Sequence, residues 1–206
     1  MKIKSLAFVC IAALFSACAS SYRPVRVTNL AYPSVTSSQG VEMHYKYDIL
    51  HEAGNKKYPK KELKKNIRLL AVELTNNTDK PINLKNDIEI YSGSRKIIPL
   101  EPAYAKRELK QIAPLYLLWG LLWVTINKCD DYGECTSTPL PVGAAIGLLN
   151  MGIAAGANKN LGADLIRYNL LDKTIEPGQT VNGVISIAIE SGQPLEIRLR
   201  DSNAKF

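Results

Sequence analysis

The chain has 206 residues, 46% of them hydrophobic and 22% charged, with a formal net charge of +7. That length suits one ordinary domain with attachments, and the basic excess favours anionic surfaces such as phospholipid headgroups. No G-x-S-x-G, H-E-x-x-H or glycine-rich phosphate loop occurs, nor any nucleic-acid-binding signature, so neither an enzyme, a cofactor nor a nucleic-acid partner is expected.

The first eighteen residues are MKIKSLAFVCIAALFSAC. Lys2 and Lys4 supply a short cationic start, and Leu6 to Phe15 form an apolar stretch too short to span a bilayer with ordinary flanks. The small pair Ser16-Ala17 then leads into Cys18. This junction looks like the lipobox of bacterial lipoproteins, with Phe15 where leucine is usual. The resemblance implies that residues 1–17 are a signal peptide and that the Cys18 thiol carries a diacylglyceryl group. It also implies a chain anchored in the cell envelope and facing the periplasm, with the outer membrane favoured because Ala19, not Asp, follows the cysteine. The plainer alternative is a cleaved secretory signal with an incidental cysteine.

In that setting Cys10 is discarded with the signal, and Cys129 and Cys135 remain around a Tyr-Gly turn. Two remaining thiols this close in an oxidising compartment are expected to form a local disulfide. A metal site is not expected, since His44 and His51 are far from these cysteines in sequence. Asp130, Asp131 and Glu134 lack the spacing of a calcium loop.

Residues 18–39 are rich in Ser, Thr, Pro and Val and read as a lipidated tether ending near a first edge strand. Residues 40–105 form the first part of a β-sandwich. Val41, Met43, Tyr45, Tyr47 and Ile49 alternate with polar residues, the period of a half-buried strand, with His44 on its polar face. Ile67 to Thr75 is a strongly apolar strand followed by Asn-rich turn chemistry and Pro81. Asp87 to Tyr91 and Lys96 to Leu100 flank a Ser-Gly-Ser hairpin turn. The same style returns in residues 173–206. There a Pro177-Gly178 turn precedes TVNGVISIAIE, and LEIRLR alternates Leu195, Ile197 and Leu199 against charge.

Six or seven short strands with such turns indicate a mainly β chain, an antiparallel β-sandwich interrupted by an insertion. LTNNTDKPI and IEPGQTVNGVISI resemble segments of the immunoglobulin-like domains found in many bacterial lipoproteins. The likeness spans about residues 41–100 and 174–200, and implies a binding or structural module without catalytic residues.

The insertion, residues 106–172, holds two uncharged runs, one between Lys110 and Lys128 and one between Glu134 and Lys159. Joined by the Cys129–Cys135 tip, they suggest an apolar helical hairpin with a following helix. Each apolar part measures roughly 26 Å as a helix, just short of the ~30 Å hydrocarbon core. Tyr116, Trp119 and Trp123 fall on one stripe of the first run. Gly143-x-x-x-Gly147 and Gly152-x-x-x-Gly156 put small residues on the second, suited to close helix packing. Trp119 and Leu122 are the expected neighbours of one pair and a second copy of the chain that of the other. The alternatives are membrane contact, oligomerisation, or packing on the sandwich. Lys106, Arg107 and Lys110 before the hairpin and Lys159 after it oppose the positive-inside rule if the sandwich lies outside. With the leader deciding, these cations face lipid headgroups on the periplasmic side.

In NKKYPKKELKKNIR, the residues Lys56, Lys57, Lys60, Lys61, Lys64 and Lys65, with Arg68, crowd one loop or helical turn. They read as a solvated loop or as an anionic-surface contact. The function expected is a non-enzymatic, lipid-anchored envelope lipoprotein acting as a structural or interaction module. Its partners are membrane lipid, through acylated Cys18, and further copies or an envelope protein. The alternative is a subunit of an oligomeric envelope pore or secretion assembly.

Overall fold

Period-two patterning is obeyed most strictly at Val41–Lys46, where Val41, Met43 and Tyr45 are buried and the residues between them are half-exposed. The computed structural model describes residues 18–189 and 192–200, so the expected signal peptide lies outside the described residues. The chain divides into two units. One comprises residues up to 21 with 111–157, and the other residues 22–110 with those from 158 onward.

The strands in chain order are β1 (Ser34–Ser38), β2 (Val41–Lys46), β3 (Ile67–Asn76), β4 (Ile82–Asn83), β5 (Ile88–Ser92) and β6 (Arg95–Ile97). They continue with β7 (Pro99–Leu100), β8 (Val124–Cys129), β9 (Cys135–Leu140), β10 (Thr174–Ile175), β11 (Thr180–Ala188) and β12 (Glu196–Leu199). In the larger unit β1-β2-β3-β11-β7 form a five-stranded sheet, β12-β5-β6 a three-stranded sheet, and β10-β4 a two-stranded ladder. All of these pairings are antiparallel. The chain is therefore mainly β with several antiparallel sheets, and it also carries five α-helices among the described residues.

One apolar core draws side chains from both larger sheets, including Met43, Leu70, Val72 and Ile185 from the first and Ile90 and Ile197 from the second. β3 is covered on both faces, which explains its near-continuous apolar sequence. Leu70, Val72 and Leu74 enter the core, while its N-terminal half also packs on the helices Ile49–Glu52 and Tyr58–Lys65. The strand expected through Ile49 stops at Lys46, because Asp48 adopts a left-handed conformation (φ 57°) and starts the first of those helices. The lysine-rich segment forms the second.

The Asn-rich turn is locked by one side chain. The fully buried Asn76 donates from Nδ2 to the carbonyls of Lys80 (2.7 Å) and Ile175 (2.9 Å), and its Oδ1 accepts from the Thr78 backbone N–H. The Gly178 N–H donates to its carbonyl, so the Asn-rich and Pro-Gly turns are stitched together. Residues 22–39, expected as tether, are largely anchored. Tyr22, Val25 and Val27 are buried, and β1 pairs along the whole of β2 up to Tyr45.

Beneath the lysine-rich helix lies Glu62, only 3% exposed, whose Oε1 accepts the Leu69 backbone N–H (2.8 Å) just beyond the end of the β2–β3 ladder. Burial drives its pKa up from 4.5 to about 7, against the lowering effect of the Leu69 hydrogen bond and Arg68. Between those two values the folded chain binds a proton that the unfolded chain does not. The group thus favours folding below pH 4.5, and that contribution is lost as pH rises through about 7. It amounts to on the order of 3 kcal/mol. Denaturant melts at pH 5 and pH 8 should show wild type losing stability on going alkaline. Glu62→Gln should flatten that dependence, and an unchanged slope in the variant would contradict the assignment.

Candidate membrane-contact site

The smaller unit begins where charge disappears from the sequence. Its first arm is not the α-helix expected. Ala113–Leu121 is a 3-10 helix and Val124–Cys129 continues as β8. Pro114 sits at the helix start, and the following Trp-Val-Thr-Ile is aromatic and β-branched, which suits an extended chain. β9 answers it in antiparallel register, so that Cys129 stands opposite Cys135 and the two are disulfide-bonded. Pro139 and Pro141 postpone helix formation, and the second arm then runs as one 26-residue α-helix, Val142–Arg167. The helical hairpin is thus a 3-10 segment, a disulfide-closed β-hairpin and one long helix.

The first glycine pair does what its spacing suggested. A Cβ on Gly143 would stand 1.8 Å from the Trp119 carbonyl oxygen and 2.8 Å from that of Leu122, and one on Gly147 would stand 2.8 Å from the Tyr116 carbonyl. The Gly143 N–H donates to the Leu122 carbonyl at 3.1 Å. Helix and 3-10 segment therefore meet backbone to backbone. Gly152 and Gly156 behave differently, since a Cβ at either would meet nothing within 4 Å.

Two amides, neither foreseen, fix the N-terminal residues on this unit. The buried Gln111 accepts the Ser20 N–H (3.3 Å) and donates from Nε2 to the Ser20 carbonyl (2.7 Å), gripping one residue through both backbone groups. Its Oε1 also accepts the Tyr116 hydroxyl. Asn150, buried within the helix, accepts the Ala19 N–H at 2.6 Å and returns its own N–H to the Ile146 carbonyl. Cys18, directly before this gripped backbone, is half-buried. An asparagine inside LLNMG was the available signal, because a buried amide needs a partner.

In the same unit large apolar side chains face outward. Leu121 is 77% exposed and Trp123 61%, and Leu115, Leu118, Leu148 and Leu149 are exposed as well, while Trp119 is half-buried. Polar groups concentrate at the hairpin tip. There the Asp130 carboxylate accepts the N–H groups of Tyr132 and Glu134. No helix among the described residues is long and apolar enough to cross a membrane, and among them no group of three or more His, Cys, Asp or Glu is placed to hold a metal. The lysines of residues 56–65 belong to the other unit.

Gly143→Ala must displace a backbone oxygen, so it should destabilise the smaller unit by about 1–3 kcal/mol. Gly152→Ala and Gly156→Ala meet open space and should each stabilise the helix by about 0.8–1 kcal/mol. Thermal unfolding of the detergent-extracted chain measures both, and the opposite order would refute the packing described.

Comparison with protein-family models, with curated proteins and with solved structures finds no match for this chain.

Proposed function

We propose that this chain is a non-enzymatic, lipid-anchored envelope lipoprotein. Its smaller, largely apolar unit beds into the membrane surface beside its own acyl chains and thereby holds an immunoglobulin-like β module at that surface. Residues 1–17 are a lipoprotein signal peptide, and Cys18 carries the lipid on the periplasmic face, in the outer membrane by the absence of Asp after the cysteine.

The observation that carries this reading is the hold of Gln111 and Asn150 on Ser20 and Ala19. A lipid on Cys18 enters the bilayer within one residue of a unit whose exposed surface is rich in Leu and Trp. Exposed apolar patches of this kind mark interaction or membrane sites. Completing the burial of six such side chains is worth on the order of 5–10 kcal/mol. Stable anchoring takes two signals, and the acyl chains and the apolar face supply them together. Interfacial seating also agrees with the absence of a spanning helix among the described residues.

A second reading, assembly of copies into an envelope pore or secretion component, draws on the bare Gly152-x-x-x-Gly156 surface, which would allow close approach of another helix. The two readings differ in what removes the protein from the membrane.

Labelled fatty acid should enter wild type and not Cys18→Ala. Cys18→Ala protein should still float with vesicles, and adding Leu118→Glu, Leu121→Glu and Trp123→Glu should release it. Wild type that takes up no label refutes the anchor. A charged triple variant that stays bound, or one released only when Gly152→Leu and Gly156→Leu break an oligomer, refutes the interfacial reading in favour of assembly.

A further inference from the structure

The lysine-rich helix Tyr58–Lys65 has two unlike faces. Tyr58 and Glu62, four apart, are buried. Lys60, Leu63 and Lys64, at i, i+3 and i+4, lie on the opposite side and are exposed, Leu63 by 63%. Lys56 extends this face just before the helix. An apolar side chain set among lysines and 63% exposed buries little of its surface in the fold.

Charge on this face is also poorly compensated. Lys65 pairs with Glu108 at 3.0 Å, whereas Lys56, Lys60 and Lys64 make no ion pair among the described residues. Lys61 is pushed below the ordinary lysine range, chiefly by burial and then by Lys65 and Lys64, with Lys110 adding to this. The one acid on the helix, Glu62, faces inward. Positive charge here exceeds the counter-charge beside it, and an anionic surface would relieve the excess.

We propose that this face is a charge-selective membrane contact, in which Lys60 and Lys64 engage the phosphates of anionic phospholipids and Leu63 enters between the headgroups. It rests on the membrane reading above, but on different residues. The pattern of two lysines flanking one exposed leucine fits a headgroup layer better than a folded partner. A bilayer supplies diffuse negative charge with hydrocarbon directly beneath it, and lysine, a compact point charge, needs no fixed geometry. On that reading the largely apolar unit binds any bilayer; this helix adds a preference for acidic lipid.

The test is flotation of the full chain with phosphatidylcholine vesicles and with vesicles enriched in phosphatidylglycerol. Wild type should bind the anionic vesicles more tightly, and the difference should shrink with added salt. Lys60→Glu/Lys64→Glu should remove that increment, a loss of roughly tenfold or more, and leave binding to phosphatidylcholine unchanged. Lys60→Gln/Lys64→Gln and Leu63→Ser should reduce it partway. These positions are exposed, and circular dichroism checks that the variants fold. An increment that survives in the double variant overturns the proposal. So does equal loss on Lys80→Glu/Lys173→Glu, which would show bulk charge alone. If wild type ignores phosphatidylcholine yet binds anionic vesicles through Lys60 and Lys64, the largely apolar unit's role fails and this inference stands.

Discussion

A glutamine and an asparagine hold the backbone that directly follows Cys18. A short Ser- and Ala-rich backbone segment would ordinarily be free, because its own side chains give it no partner. Here Gln111 satisfies both backbone groups of Ser20, and Asn150 satisfies the N–H of Ala19. Both amides are buried, and each would be costly to leave unpaired. The grip therefore fixes more than local geometry. Under the proposed function, it makes the lipid site a part of the smaller, largely apolar unit instead of the end of a leash.

That unit is stabilised by close backbone approach. Gly143 and Gly147 admit the 3-10 segment to within hydrogen-bonding distance of the helix, and the disulfide closes the β-hairpin between them. Leucines and Trp123, which would normally fill a core, are left outside. The β unit follows the opposite rule. Its alternating strands put Val41, Met43, Tyr45, Ile90 and Ile197 into one core, and Asn76 ties its two diagnostic turns together. One unit solves its burial internally; under the proposed function, lipid completes the other.

The β strands were legible in the sequence because period-two alternation and Pro-Gly or Asn-rich turns are local signals. Their pairing was not. The sheet order β1-β2-β3-β11-β7 joins segments more than a hundred residues apart in sequence, and nothing local encodes that. The insertion was legible as two uncharged, glycine-bearing runs, with Trp119 and Leu122 expected beside one glycine pair; that the pair is Gly143 and Gly147 comes only from the structure. Its first arm has the apolar content of an α-helix, but Pro114 and the β-branched run after Trp123 override it. Gly152 and Gly156 repeat the same motif without a partner of their own, since spacing alone says which face is small and not what lies against it. Gln111 and Asn150 escaped notice because their importance lies in the backbone they meet, at sequence separations of 91 and 131.

The chain has two tryptophans, Trp119 and Trp123, both in the smaller unit, so its intrinsic tryptophan fluorescence reports on that unit alone. The most direct test of the central claim is quenching of this emission by phospholipids brominated along their acyl chains. Seating in the membrane surface predicts a blue-shifted emission on vesicle binding and strong quenching by bromines placed near the headgroup end, weaker by those near the bilayer centre. Emission that keeps the maximum of water-exposed tryptophan, untouched by bromine at any depth while the protein remains vesicle-bound, would contradict it.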